Sequence, residues 1–473
     1  LTERSASRRA GPILHLRGHD AAGLRLAAIV IRPEDEACGP LRIDGNDHQP
    51  RRIATLEGLA IWRFDFRLAP GAPGYEFEGE SFPVETELSG DLRLGFLSCN
   101  GEEIGDLDRD PAERDAMWER MRALHDERPF AVLIQGGDQI YADEVTQGHP
   151  LSDGWPEDLP RRAPTEEDLE DLAAHLRAGF VRRYMRGLSS PAVAALMGRV
   201  PTLAVWDDHD ICDGWGSLPE KATDSAVGRT LFRVAREMYL LFQHGAVEAE
   251  VAEIFVDPTG GNLGWERTLP GVTLRAPDLR SERRRRRVMG EAGWSLLERP
   301  APEAEQMFLV SSVPLLGPRL SLVEAVMWVW PGMQKYEDDL RDQWQSRAHR
   351  EDWKRALRAV IGLREAGPVT ALSGEIHLAT RAEMAAAPGP VHQLVASGIA
   401  HRAPPKGYAR GLGWLGSLGE GPLSGHPIRI LPLPGMRRRY VAERNFLVLE
   451  RMGGAWSAVW QLEESGPTPP LAI

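Results

Sequence analysis

The pattern of apolar and polar positions changes character near residue 89. From residue 11 to about 88 the apolar positions form short runs, such as Leu14–Leu16, Leu24–Ile31 and Leu59–Phe66, with Gly, Pro and Asp between them, as in Pro70-Gly71-Ala72-Pro73-Gly74. Short runs bounded by turn formers predict strands, so residues 1–88 are expected to form a small all-β, sandwich-like domain. From residue 89 to 473 strands and helices alternate, which predicts a larger α/β domain. Leu92–Ser98, Phe130–Ile134, Thr202–Trp206, Val369–Ser373 and Val391–Ser397 have the length and composition of buried strands. Pro111–Arg128, Asp224–His244 and Glu351–Glu365 read as helices. In Glu167–Leu188 the residues Leu169, Leu172, Leu176, Phe180 and Tyr184 recur at helical spacing, predicting a long amphipathic helix. Phe446–Glu450 and Trp456–Gln461 flank Gly453-Gly454 as a hairpin.

Composition narrows the function. A chain of 473 residues with 42% hydrophobic content can bury a large core. Its net charge of −13 argues against a nucleic-acid scaffold, which needs basic surface to neutralise phosphates. Phosphate chemistry stays open, because a bound metal supplies positive charge locally. Three cysteines, Cys38, Cys99 and Cys212, imply no disulfide framework. No apolar run approaches the length of a membrane span. The default expectation is a soluble cytoplasmic protein acting on a small molecule. The chain begins with Leu rather than Met, which leaves room for an export signal removed earlier. Nothing in the pattern fixes an oligomeric state.

Four strand ends carry metal-ligand chemistry: Ser98-Cys99-Asn100, Gly137-Asp138-Gln139-Ile140-Tyr141, Asp207-Asp208-His209-Asp210-Ile211-Cys212-Asp213 and Gly374-Glu375-Ile376-His377. Taken singly, Cys99 fits a small buried apolar position and Asp138 a turn. The 207–210 run is harder to explain without a cation, since its carboxylates repel one another between apolar flanks. Ligands at neighbouring strand ends converge at one sheet edge, and a two-metal site needs a bridging carboxylate with several oxygen and nitrogen donors. Glu375 and His377 are two residues apart, which in extended backbone puts both side chains on one face. Arg283–Arg287 reads as a solvated helix face or a nucleic-acid patch. Arg280, soon after the strand-like Val272-Thr273-Leu274, suits bidentate phosphate binding instead.

In order along the chain, Ser-Cys at 98–99, Gly-Asp-Gln-Ile-Tyr at 137–141, Trp-Asp-Asp-His-Asp at 206–210, Asp-Leu-Arg-Ser-Glu-Arg at 278–283 and Ser-Gly-x-x-His at 373–377 resemble the alkaline phosphatase D (PhoD-like) family of calcineurin-type metallophosphatases. The resemblance implies a four-layer αββα sandwich with metals at the sheet edge and a small N-terminal β domain. It implies that Cys99, Asp138 and Tyr141 bind ferric iron and that Asp138 bridges to a second, divalent ion (Ca2+, Mn2+, Zn2+ or Mg2+). Asp208, Asp213 and His377 would be further ligands, His209 would contact phosphate or leaving group, and Arg280 would hold the substrate phosphate. Two departures stand out. Glu375 replaces the family's usual Asp, which bears on one metal or on activity, and the superfamily's first Asp-x-His motif is absent. The expected function is a phosphomonoesterase or phosphodiesterase using a metal-bridging hydroxide. The alternatives are hydrolysis of phosphotriesters, phosphonates or lipid phosphates on the same site, and an inactive metal-binding protein whose arginine run docks a partner.

Overall fold

The computed structural model describes residues 8–302, 304–318 and 342–473. The N-terminal strands are β1 (Ala10–Asp20), β2 (Gly23–Pro33), β3 (Leu41–Ile43), β4 (Asn46–His48), β5 (Arg51–Leu56), β6 (Leu59–Leu68), β7 (Gly74–Phe77) and β8 (Glu80–Pro83). β9 (Leu92–Leu97), β10 (Val132–Gly136) and β11 (Thr202–Val205) follow, then β12 (Trp265–Leu269), β13 (Val272–Ala276), β14 (Gln306–Val310), β15 (Val369–Ser373), β16 (Ala379–Met384), β17 (Val391–Val395) and β18 (Ile428–Leu431). After β19 (Tyr440–Val441) the hairpin β20 (Asn445–Met452) and β21 (Ala455–Leu462) turns at Gly453-Gly454, as its sequence predicts. The predicted strands and long helices are present, with most ends moved by a residue or two and those of the first strand by four. The Pro111–Arg128 helix is broken at Asp115 into Pro111–Arg114 and Ala116–Glu127.

Two large sheets face each other. The first runs β21-β20-β9-β10-β11-β1-β2-β6-β5, with β9, β10 and β11 parallel. The second runs β12-β13-β14-β15-β17-β16-β18, with β13, β14, β15 and β17 parallel. Alternation along β14 shows the layering. Phe308 and Val310 join the core between the sheets with Leu372 and Leu394, while Met307 and Leu309 join an outer core with Trp353, Leu357 and Val360 of the helix Arg350–Ala366. Phe308 meets Trp456 of the opposite sheet edge-on at 5.0 Å, and Trp460 Nε1 donates across the gap to Val395 O at 2.9 Å. On the other outer face lie the helices Glu166–Leu188 and Ala226–His244, capped by Thr165 and Ser225. They stack through Tyr184 and Phe242 at 4.5 Å. The expected αββα sandwich is thus the observed one.

The N-terminal segment is β, as expected, but it does not close into a sandwich of its own. β1 pairs with β2 and also lies parallel to β11, with His15 opposite Thr202, so four N-terminal strands extend the first large sheet. Only β4-β3-β7-β8 form a separate small sheet, and Tyr75 of β7 donates to Gly198 O at 2.6 Å. The reason is physical: β11 has a free edge that a neighbouring strand satisfies better than solvent. The arginine run is not a helix face either. Arg284 and Arg287 bridge across a tight turn, and Arg283 is buried against Asp342.

Candidate metal centre

The C-terminal ends of the parallel strands of both sheets meet at one edge. Backbone hydrogen bonds stitch the loops together: Cys99 N to Gly137 O at 3.2 Å, Asn100 N to Asp138 O at 2.8 Å, and His401 N to Cys99 O at 3.1 Å. Gly374 allows the sheets to approach, because a Cβ there would lie 2.2 Å from Ser98 Oγ. Four side chains of the edge sit on left-handed backbone: Cys99 at φ 55°, Asp138 at 52°, Glu375 at 67° and His377 at 53°. Non-glycine residues avoid this region, and holding one there costs on the order of 1–3 kcal/mol. All four are residues that the sequence motifs single out.

Two donor groups share a corner. Cys99, Asp138 and His377 offer ligand atoms within 4.8 Å of one another, and so do Asp138, Asp207 and Asp208. Asp138 Oδ2 accepts from the Cys99 thiol at 3.4 Å, while its Oδ1 is buried without a hydrogen-bond partner. Asp207 Oδ2 is in the same position. Tyr141 OH lies 2.9 Å from His377 Nε2. Burial pushes the Cys99 thiol, the Tyr141 phenol and the Asp138 carboxyl well above their usual ranges, and the neighbouring anions add to each shift. Burial likewise holds His377 well below its usual value, hence neutral. A neutral imidazole beside anionic donors that need a cation is the set a metal stabilises, and two unpartnered buried carboxylate oxygens are where an unmet ligand demand would show. The residues present therefore fit a pair of metal ions.

The surrounding contacts define roles. Asp210 accepts from Gln139 N at 3.0 Å, Ile140 N at 3.3 Å, Asp207 N at 2.9 Å and Gln243 Nε2 at 2.8 Å, so it fastens the Asp138 turn to the Asp207 turn. His209 Nδ1 lies 2.9 Å from Asp143 Oδ1, and its ring is 4.4 Å from that of Tyr141. Burial opposes a charge on His209, but Asp143 and Asp208 outweigh it and raise its pKa. Asp213 is exposed and groups with Asp208 and His209.

Arg280 departs from expectation. It is fully buried, and its five donors are all engaged: Nε by Asp207, Nη1 by Trp215 O at 3.0 Å and Asp342 Oδ1 at 2.8 Å, Nη2 by Asp208 Oδ1 at 3.2 Å and by Asp342 Oδ2. None remains for a phosphate. Asp278 earns its place in the motif by accepting from Trp206 Nε1, Leu263 N and the Arg280 amide, each at 2.8 Å. Glu375 departs too. Its backbone and that of His377 are left-handed rather than extended, so the shared-face argument fails. Its carboxylate accepts from Gln343 Nε2 at 2.8 and 2.7 Å, not from Arg381, and it belongs to neither donor group.

Sequence reasoning missed Asp207 as a ligand candidate, and it missed His401, Glu103, Asp143 and Ser397. The His401 ring stacks on His377 with centroids 3.4 Å apart, and its Nε2 lies 3.0 Å from Glu103. Ser397 Oγ meets Cys99 Sγ at 3.1 Å and accepts from His377 N at 2.7 Å. The only sequence signal for this pair was the strand expected over Val391–Ser397, shortly before a histidine.

This fold, with carboxylate, imidazole and thiol donors at the strand ends, has the architecture of the metallophosphatases it is similar to. A family model for PhoD related phosphatase matches residues 112–336, a little under half of the chain. Among solved structures it is similar to PhoD, with a TM-score of 0.60 at 11% identity over 100% of this chain and 90% of that one. It is also similar to a purple acid phosphatase from yellow lupin (Lupinus luteus) seeds, with a TM-score of 0.52 at 9% identity over 97% of this chain and 73% of that one. At these identities the likeness is one of fold. A curated relative, an uncharacterized protein of Saccharomyces cerevisiae, is 24% identical over 374 residues, covering 65% of this chain and 52% of its own length. The chain thus spans about half the length of the curated relative it matches. Among the described residues no helix is long and apolar enough to cross a membrane.

Proposed function

We propose that this chain is a metal-dependent phosphoester hydrolase acting on phosphomonoesters or phosphodiesters of small molecules. The observation that supports it most is Asp138: it stands in both donor groups, has one buried oxygen without a partner, and is held on left-handed backbone. A bridging carboxylate needs this placement. Cys99, Tyr141 and His377 would complete one ion's shell, for which ferric iron is the proposal because thiolate and phenolate suit it. Asp207 and Asp208 would hold the second, divalent ion, with Asp213 at its outer side. Glu375 would reach that ion through water or remain on Gln343. When bound, the ions would neutralise the phosphoryl oxygens and lower the pKa of a water to about 7.

The chain's own residues do the rest. With Nδ1 anchored on Asp143, His209 offers Nε2 to the phosphate and, being protonated, can pass a proton to the leaving oxygen. Arg280 acts through Asp207 and Asp208, fixing both carboxylates toward Asp138. The test is elemental analysis of the protein as purified, together with turnover of 4-nitrophenyl phosphate and bis-4-nitrophenyl phosphate. Two ions per chain, visible tyrosinate-to-iron absorbance and turnover that both vanish in Asp138→Asn are expected. Stoichiometric metal without turnover of either ester would overturn the enzyme reading in favour of a binding protein.

A further inference from the structure

A second cleft lies where the N-terminal strands β1, β2 and β6 meet β12 and the short helix Val251–Ile254. Its volume is about 530 Å3, within the range of small-molecule sites. None of its lining residues belongs to the donor groups described above. In a chain with a net charge of −13, five arginines line it: Arg17, Arg25, Arg63, Arg67 and Arg267. Three carboxylates face them, Asp65, Glu250 and Glu253.

The pairing is uneven. Arg63 is matched by Glu250 and Asp65, and Arg67 by Asp20. Arg17, Arg25 and Arg267 make no ion pair among the described residues. Arg17 donates only to Gly245 O at 2.9 Å. Arg267 donates to Glu266 O and Ile254 O, each at 2.8 Å, and its Nε is buried without a partner. Burial pushes both guanidiniums down to about 10, and like charge adds to it, Arg63 and Arg267 on Arg17 and Arg25 on Arg267, while Asp65 and Glu250 offset part of it on Arg17. The cluster's charge reaches into the core: burial and then Arg17 depress His15, and burial, His15, Arg17 and Arg267 depress His244. Elsewhere this protein matches its buried arginines with carboxylates: Arg275 with Glu266, Arg280 with three aspartates, Arg283 with Asp342. Here, among the described residues, the counter-charge falls short of the five arginines while a cavity lies between them.

Guanidinium forks match the oxygens of a phosphate group, and Leu26, Phe66 and Ile254 offer apolar floor to an organic part. We propose that this cleft is a second anion site, which takes a phosphate-bearing small molecule on Arg17, Arg25 and Arg267, apart from the metal centre. It does not rest on the hydrolase reading.

The test is calorimetric titration of the metal-loaded full chain with inorganic phosphate and with phenylphosphonate, a non-hydrolysable organic analogue. Binding is expected to persist in Asp138→Asn and to weaken ten-fold or more in Arg267→Gln and in Arg25→Glu. Arg25 is exposed, so its variant keeps the fold test independent of buried substitution. Turnover of the ester substrates should not change in either arginine variant. Tighter phenylphosphonate than phosphate would identify an organic phosphate as the occupant, and equal affinities would identify free phosphate. Loss of all anion binding in Asp138→Asn, or unchanged affinity in both arginine variants, overturns the proposal.

Discussion

Replacing Arg280 by Met tests whether this residue is a clamp or a substrate contact. In the structure its guanidinium sits between Asp207, Asp208 and Asp342 with no exposed surface. Met fills similar volume but removes the charge and all five donors. Three carboxylates then remain in a dry site with less compensation. Removing one partner of a buried ion pair costs about 3–5 kcal/mol. Proton uptake by the orphaned carboxylates limits the loss, and Asp207, already pushed up to about 6 by burial, is a ready acceptor. A loss of about 3–5 kcal/mol is therefore expected in urea unfolding of Arg280→Met at pH 7.5. The ion proposed at Asp207 and Asp208 should bind more weakly, because both carboxylates lose the group that aims them. Lys in place of Arg restores charge but only three donors, so Arg280→Lys should recover part of the stability. The decisive comparison is KM. A clamp leaves KM of the surviving metal-loaded fraction near that of the wild type, whereas a phosphate-binding arginine raises KM several-fold and leaves stability unchanged. The second outcome would refute the geometry described above.

Other outcomes follow from the same contacts. Gly374→Ala places a Cβ 2.2 Å from Ser98 Oγ, so it should lose about 1–3 kcal/mol and bind less metal; an unperturbed melting curve would contradict the tight seam. A chain beginning at residue 89 should fail to fold, since it bares the β11 edge and removes four strands of the first sheet; a soluble, metal-binding truncation would show that those strands are dispensable. His15 is held down to about 3, chiefly by burial, so the native state binds fewer protons than the unfolded chain below the usual histidine value. Its contribution to stability is full above about pH 7 and declines as pH falls toward 3, on the order of 1.4 kcal/mol per pH unit. Urea unfolding at pH 7.5, 6 and 5 should show a shallower decline in His15→Gln than in the wild type, and identical slopes would count against it.

Periodicity revealed the elements because each core face is uniform. Leu172, Leu176, Phe180 and Tyr184 are all buried on one helix, as their spacing predicts. The same logic found the strand ends that carry Cys99, Asp138, Asp208 and His377. It failed where a residue's role depends on a partner distant in sequence. Arg280 looks like a phosphate ligand until Asp342, 62 residues away, is seen to occupy its fork. His401 reaches the site only because β15 and β17 are neighbours, which no local pattern encodes. The N-terminal strands gave the right secondary structure and the wrong enclosure, since period-two alternation specifies a buried face but not which sheet supplies the cover. Glu375 and His377 show a further limit: spacing assigns faces only if the backbone is regular, and here it is left-handed at both.

The arrangement of the first sheet also sets a timetable for the chain. Three of its parallel strands, β9, β10 and β11, span residues 92–205, and among the described residues the partner of β9 on the side away from β10 is β20, which begins at Asn445. As the polypeptide emerges from the ribosome, the β9 edge must wait for some 350 further residues, a delay on the order of tens of seconds at ~5–20 residues per second. Throughout that interval the strand leading into Cys99 presents unpaired amides and carbonyls to any passing strand. Early maturation of this protein is therefore a race between its own C-terminal hairpin and intermolecular pairing at that edge.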